Sequence, residues 1–263
     1  MLLTNFGSTC YINCVLQLLL NNFYFMDYIK NADYPEESLL YSFKKISNSD
    51  SLRDFLNKMQ SKLGDKMILN RQNDANETYT KVLELFENED KECTGCFVGI
   101  HKKIYRCCKC DHKREVKENF KLIHLYITDD STNLQSSLMS SLSKEILEDV
   151  ECENCKNRTR TEVKNKISRW PKNIIFSINR FNSTSKINDG FDYTRNIDLS
   201  ISGKSSKYTL SGVINHVGTI DFGHYTYIKI TRNSITEIND DKVRQLDTFK
   251  SPSNYMLIYT QLN

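Results

Sequence analysis

Two side chains able to do chemistry together stand near opposite ends of this chain of 263 residues. Cys10 lies in the stretch Asn5-Phe6-Gly7-Ser8-Thr9-Cys10-Tyr11-Ile12-Asn13-Cys14, ahead of an apolar run that ends at Leu20 and is interrupted by Gln17. A hydroxyl pair before a cysteine and a helical apolar segment after it form the pattern of an N-cap, with Cys10 in the first helical turn. There the open backbone N–H groups and the positive end of the helix dipole favour an anion, so the thiol ionises more readily. A thiolate needs a general base or ion-pair partner, and the candidate is His224 in Gly223-His224-Tyr225. An imidazole in a Cys–His site needs an Asn or Asp to orient it, and Asn239-Asp240 follow a short way on. Each residue also has a plainer reading. Cys10 could be a buried small apolar residue, His224 a hydrogen-bonded strand-end histidine, and Asn239-Asp240 a turn.

A second chemistry is written in the cysteines. Cys107-Cys108-Lys109-Cys110 and Cys152-Glu153-Asn154-Cys155 each carry a CxxC pair. Such a knuckle lets two thiolates converge from one tight turn, and two knuckles complete a tetrahedral zinc site. The intervening segment is longer than in compact zinc ribbons, so a hairpin-like insertion must fold back to unite them. Four reduced cysteines without metal is the alternative. Cys93-Thr94-Gly95-Cys96 is a third pair with no evident mate, and Cys108 is surplus. A closed four-cysteine ligand set makes the expected zinc structural rather than catalytic.

The elements that must position these groups divide the chain. Leu52, Phe55, Leu56, Met59 and Leu63 fall at helical spacing with Gly64 as a stop. A second amphipathic helix is expected from about Asn73 to Glu87, burying Ala75, Tyr79, Val82, Leu83 and Phe86 and turning Asp74, Glu77 and Lys81 outward. The charged segment from Glu87 to Glu92 reads as a solvated connection. From Phe97 the pattern turns to short β-like segments such as Ile123–Ile127, interrupted by a helix with Leu134, Leu138 and Leu142 on one face. Ile174–Ile178, Tyr208–Ile214, Tyr225–Ile230 and Tyr255–Tyr259 then suit a sheet. Helices first, sheet last and cysteine-rich β structure between make an α+β protein. Gly218 and Gly223 flank a loop before His224 and would let it approach a substrate backbone closely.

Composition narrows the possibilities. The formal charge of +3 is too slight, and the basic residues too dispersed, for a nucleic-acid partner. No stretch reaches the length of a membrane span, and no basic segment with a small-residue cleavage site opens the chain. Nine cysteines, an odd number partly in CxxC pairs, favour reduced thiols and metal, hence a cytoplasmic or nuclear setting.

In order, these motifs resemble the ubiquitin-specific proteases, the papain-like cysteine deubiquitinases, from Asn5 to about Tyr259. The opening stretch is similar to the family's Cys box, and Arg71-Gln72-Asn73-Asp74-Ala75-Asn76-Glu77 to its Gln-Asp-Ala-x-Glu motif. Phe97-Val98-Gly99 with the two CxxC pairs resembles the zinc-bearing fingers. Trp170-Pro171, Ile174-Ile175 and Asn179-Arg180-Phe181 resemble the strand beyond the second knuckle, and the His box, Asn239-Asp240 and Tyr255–Tyr259 follow. The resemblance implies a helical thumb (about 1–92), zinc-stapled β fingers (about 93–170) and a β-sheet palm (about 171–263) in one catalytic domain. It implies Cys10 as nucleophile, His224 as acid and base, Asn239 as third member with Asp240 as possible substitute, and Asn5 as oxyanion donor. Asp74 would receive a basic residue of the ubiquitin tail, and Tyr225 and Gly223 would border the slot that only Gly-Gly can pass. Zinc would be held by Cys107, Cys110, Cys152 and Cys155.

Three departures stand out. Ser8 replaces the Asn of many members, Thr78-Tyr79 the usual Phe-Leu, and Ile235 the expected tryptophan. The expected activity is hydrolysis after the last glycine of ubiquitin through an acyl-enzyme, with ubiquitin and ubiquitinated proteins as partners of a monomer without accessory domains. The alternatives are a silent ubiquitin-binding module and a protease for another ubiquitin-like modifier.

Overall fold

The computed structural model describes residues 1–64, 69, 71–181, 186–187, 189–201, 203–219 and 222–262. Five helices open the chain: α1 (Cys10–Leu20), α2 (Phe23–Asn31), α3 (Leu39–Lys44), α4 (Ser49–Leu63) and α5 (Ala75–Glu89). Most start on a side-chain oxygen that accepts an orphan N–H of the first turn. Asn22 accepts from Phe25, Ser38 from Tyr41, Asn48 from Ser51 within a capping box, and Asp74 from both Asn76 and Glu77. Gly64 ends α4 at a φ of 57°, where a side chain would be strained.

The first helix is buried on every side, from Cys10 through Leu19, and packs between α5 and the sheet. A helix so placed must satisfy its own polar side chains. Asn13 donates to the carbonyls of Leu3 and Thr4, and Gln17 to that of Met1, so the first residues wrap along α1 as its polar partners. Behind it, Phe25, Phe43, Phe55, Phe86 and Phe97 form a chain of ring contacts at centroid spacings of 5.2–6.4 Å. These edge-on, tilted and stacked pairs lock the helices to one another.

The acidic segment after α5 is not the solvated connection its charges suggest. The helix runs on through Glu89, whose carboxylate accepts from the N–H groups of Leu39 and Leu40 and pairs with Lys62 at 2.9 Å. Burial alone would raise the Glu89 pKa, but these donors outweigh it and hold the carboxyl below its ordinary value. Asp90 accepts from the phenols of Tyr28 and Tyr34, and Glu87 from Thr94 and Lys121. Three carboxylates thus staple α2, the start of α3, the end of α4 and the segments bearing Thr94 and Lys121 to the end of one helix.

The β structure forms two sheets. A four-stranded antiparallel sheet has the order β2 (Lys113–Phe120), β1 (Gly99–Cys107), β5 (Arg158–Arg169), β4 (Lys144–Glu151). Its cations face acids on adjacent strands, as in Lys102–Glu115 at 2.6 Å, Lys103–Glu118 at 3.1 Å and Arg160–Glu148 at 2.9 Å. The larger, eight-stranded sheet comprises β3 (Ile123–Tyr126), β6 (Asn173–Asn179), β7 (Asn196–Ile201), β8 (Lys204–Gly218), β9 (Gly223–Ile230), β10 (Ile235–Asn239), β11 (Lys242–Gln245) and β12 (Asn254–Gln261). Its path runs β11-β10-β9-β8-β12-β6-β3, with β7 paired to β8, and only β3–β6 is parallel. Strands β6 and β12 are buried along most of their length, which their continuous apolar runs require.

This confirms the α+β class, but the finger segment expected at about 93–170 is not contiguous in space. Between β2 and β4 the chain crosses to the large sheet, where β3 pairs with β6 and α6 (Leu134–Ser141) packs on β3. Leu134 and Leu138 are buried there, while Leu142 forms the cap of α6 rather than a turn of it. The chain between the knuckles does return to unite them, but through a strand and a helix on the large sheet rather than the hairpin-like insertion expected.

Replacing Phe86, which touches three other rings, by alanine should cost about 3–5 kcal/mol of stability. Urea denaturation of the Phe86→Ala variant measures it as a lowered midpoint.

Candidate active site

Packing of α1 against β9 brings the first residue of the helix beside the second residue of the strand. Those residues are Cys10 and His224. Thr9 occupies the N-cap position but does not cap the helix. Its hydroxyl instead accepts from Phe6 N at 2.9 Å and donates to Asn5 Oδ1 at 3.3 Å, while Thr9 N donates to the same oxygen at 3.1 Å. Thr9, expected with Ser8 as a cap, therefore folds the Asn5–Thr9 loop instead, with Gly7 at a φ of 106° allowing the turn. The dipole of α1 still acts at Cys10.

The imidazole of His224 hydrogen-bonds Cys10, and its Nε2 lies 2.7 Å from Asn239 Oδ1, which leaves Nδ1 for the thiol. The hydrogen bond and charge of Cys10 raise the His224 pKa to about 9, against burial and with help from Asn239 and Asp240. His224 therefore keeps its proton near neutral pH, and a Cys–His pair of this kind is the arrangement that nucleophilic attack needs. Asn239 is placed at the imidazole by the pairing of β10 with β9, in which Ile238 faces Tyr227.

The structure separates Asn239 from Asp240. Asp240 turns away through a left-handed φ of 53°, and its nearest oxygen is 4.0 Å from His224 Nε2. Its Oδ2 accepts from Asn5 Nδ2 at 2.9 Å, its Oδ1 from Asn13 Nδ2 at 2.7 Å, and its carbonyl from Leu3 N at 3.1 Å. Two of these bonds fasten the N-terminal loop, and the third fastens α1, to the turn after β10. Asn5 is held at both ends, by Asp240 at its amide nitrogen and by Thr9 at its oxygen.

A cleft of about 350 Å³ opens at Cys10, between a wall of Tyr11, Gln72, Asn73 and Asp74 and a wall of Phe181, His216, Gly223 and Tyr225. Asp74 does two things at once. Its Oδ1 caps α5, and its Oδ2 accepts from the phenols of Tyr225 and Tyr255. Burial, followed by the Asp74 charge, pushes both phenols far above their usual range, so they remain donors.

His216 went unnoticed as a site residue. It is buried, its ring lies tilted against that of Tyr225 at a centroid distance of 4.6 Å, and burial with the nearby Lys186 lowers its pKa to about 4. A Cβ on Gly223 would come within 1.9 Å of His216 Nε2. The glycine before His224 is thus required by this ring as well as by any substrate. Asn215-His216-Val217-Gly218 offered one signal, a second histidine just ahead of the first. Of the loop between Gly218 and Gly223, Ile220 and Asp221 lie outside the described residues.

At the far end of the four-stranded sheet, the sulfurs of Cys107, Cys110, Cys152 and Cys155 all lie within 4.8 Å of one another. Cys107–Cys155 is 4.0 Å and Cys110–Cys152 is 3.6 Å. Four thiolates about 2.3 Å from one zinc ion stand roughly 3.8 Å apart, so the donor set fits a tetrahedral metal. Both knuckles have the same build. In each, the residue after the second cysteine, Asp111 or Lys156, takes a left-handed φ, of 57° and 54° respectively, and its N–H donates to the carbonyl of the first cysteine. Pairing of β1 with β5 sets the two turns side by side. Cys93, Cys96 and Cys108 stand outside the cluster. Cys93 is buried, and burial drives its pKa up.

Comparison with known proteins agrees with this geometry. A family model described as ubiquitin carboxyl-terminal hydrolase matches residues 2–259. Ubiquitin carboxyl-terminal hydrolase 36 of Drosophila mojavensis is 25% identical over 292 residues, covering 92% of this chain and 24% of that protein. Ubiquitin carboxyl-terminal hydrolase 16 of Arabidopsis thaliana is 24% identical over 304 residues, covering 98% of this chain and 30% of that one. The chain therefore spans about a quarter to a third of the length of these relatives. Among solved structures, the SAGA DUB module containing Ubp8, bound to ubiquitin aldehyde, superposes with a TM-score of 0.84 at 21% identity. That match covers 100% of this chain and 69% of the other. The same module bound to monoubiquitin gives a TM-score of 0.86 at 20% identity over 100% of this chain and 69% of that one. At such identity the likeness establishes the shared fold.

Because Asn239 is one of the groups that raise His224, Asn239→Ala should lower the imidazole pKa from about 9. NMR titration of the ring protons measures the shift. The stabilisation that the charged ring contributes is complete below its ordinary value of 6.5 and lost as pH rises through about 9, and the variant should lose it at lower pH.

Proposed function

Because the chain belongs to the ubiquitin carboxyl-terminal hydrolase family, we propose that it is a thiol-dependent deubiquitinase. It would hydrolyse the isopeptide or peptide bond after the C-terminal glycine of ubiquitin. The observation that carries this reading is the alignment of Cys10, His224 and Asn239 at the mouth of a cleft, already hydrogen-bonded to one another.

The Cys10 thiolate attacks the carbonyl carbon of the last glycine, and the carbonyl oxygen becomes an oxyanion. The side-chain amide of Asn5 and the backbone N–H of Cys10 stabilise that oxygen, and losing one such donor typically costs about 3–4 kcal/mol of barrier. As the C–N bond breaks, imidazolium His224 gives its proton to the departing amine. Neutral His224 then takes a proton from water, whose oxygen attacks the thioester and releases the carboxylate and the Cys10 thiolate. Asn239 holds the imidazole in the tautomer and orientation that both steps need. Asp240 acts through Asn5: its carboxylate turns the amide nitrogen and leaves the second amide hydrogen for the oxyanion. It is a positioning residue, not a substitute for Asn239.

The shape of the molecule supports a folded substrate with an extended tail. The cleft at Cys10 shares Asp74 with a second cavity of about 420 Å³, which shares Thr80, Leu122 and His124 with a third of about 870 Å³. Together they form one trough from the nucleophile to the base of the four-stranded sheet. Asp74 and the exposed Glu77 put acidic groups where a basic tail residue would lie. The cysteine cluster would hold zinc, which clamps the β1–β2 and β4–β5 turns together and takes no part in the chemistry. The protein's free cysteines favour a reducing setting, the cytoplasm or nucleus.

Ubiquitin carrying a C-terminal electrophile should form a covalent adduct with the wild type and none with Cys10→Ala. Intact-mass spectrometry reads both, and binding without an adduct would point to a silent ubiquitin-binding module. Metal analysis of freshly purified protein should find about one zinc per chain, and Cys152→Ser should lose it.

A further inference from the structure

Building on that reading of the cleft, we infer that Gln72 is a specificity-determining residue. Its side chain straps the cleft on the solvent side, so that only a chain end without side chains passes beneath it. Two sets of hydrogen bonds cross between the walls. The inner set is half-buried and joins the phenols of Tyr225 and Tyr255 to Asp74. The outer one is exposed: Gly223 N donates to Gln72 Oε1 at 3.2 Å. Gln72 and Gly223 line the same cavity as Cys10, so the two crossings close the cleft into a short bore beside the nucleophile.

The parts of the bore differ in freedom to move. Asp74 is fixed because it also caps α5. Gly223 cannot recede, since His216 packs so closely behind it that there is no room even for a Cβ. The rings of Tyr11, Phe181 and His216 fill the sides. Gln72 is exposed and long, and it is the one half of a crossing that can give way. A glycine passes under its amide with the strap intact. A residue with a Cβ meets either the amide or the rings behind, and must break the Gln72–Gly223 bond to enter.

The test compares two substrates, each with a reporter group on the ubiquitin C-terminus. One is unmodified ubiquitin, and the other has its penultimate glycine replaced by alanine. The ratio of kcat/KM values is measured for wild type, Gln72→Ala and Gln72→Glu. Glutamate keeps an acceptor oxygen at the same reach, so its strap persists. In Gln72→Ala the preference for glycine should fall by roughly 10-fold or more, while Gln72→Glu should stay within about 2-fold of wild type. An unchanged preference in Gln72→Ala overturns the inference, and so does an equal loss in both variants. Wild type inactive on both substrates would instead remove the underlying reading of the cleft, and the strap with it.

Discussion

Cys10 begins a helix that is buried on every side, and the rest of the fold answers to that fact. A buried helix offers no face to water, so its polar residues must find partners within the protein. Asn13 and Gln17 find them in Leu3, Thr4, Met1 and Asp240. The bond from Asn13 to Asp240 is the decisive one, because it joins the helix to the turn that follows the strand bearing Asn239. Cys10, Asn239 and Asn5 are thereby referred to one rigid point. Chemistry of this kind tolerates little misplacement of the reacting groups.

Electrostatics and packing cooperate at the site without competing for the same residues. His224 is partly open and is raised by its pairing with Cys10, while His216, one strand away, is buried and lowered. Two histidines so close together are driven in opposite directions by solvation and by neighbouring charge. One keeps its proton near neutral pH, and the other is an uncharged ring that shapes the wall. Asp74 shows the same economy, since a single carboxylate starts α5 and pins two tyrosines.

Much of the site could be read from residue types alone. Cys10, His224 and Asn239 belong to few chemistries in combination, and the two CxxC pairs to fewer. Helices were legible where apolar spacing was regular, as in α4 and α5. What could not be read was whatever depended on a tertiary partner. Ser8-Thr9 has the composition of a cap, yet Thr9 serves the loop instead, because Asn5 lies within reach of both its N–H and its hydroxyl. The run from Glu87 to Asp90 reads as solvated, yet its carboxylates meet N–H groups, phenols and an ammonium from distant segments. Asp240 looked like a stand-in for Asn239, and only the left-handed backbone at that residue shows that the two side chains diverge. His216 carried a weak signal because a buried imidazole is commonplace until its neighbours are known.

The excursion of β3 and α6 out of the finger sheet bears on how the molecule comes into being. β1 must wait for β5, and β3 for β6. The loop bearing Leu3 and Asn5 must wait for Asp240. Contacts so distant along the chain close slowly, since a long loop must be ordered before it is rewarded. During synthesis, a nascent fragment ending before residue 239 can bring neither Asn239 to His224 nor Asp240 to Asn5. Cys10 is made well before those residues and meets them only when the later strands fold onto α1. Wide separation along the chain thus makes assembly of the site one of the last events of folding.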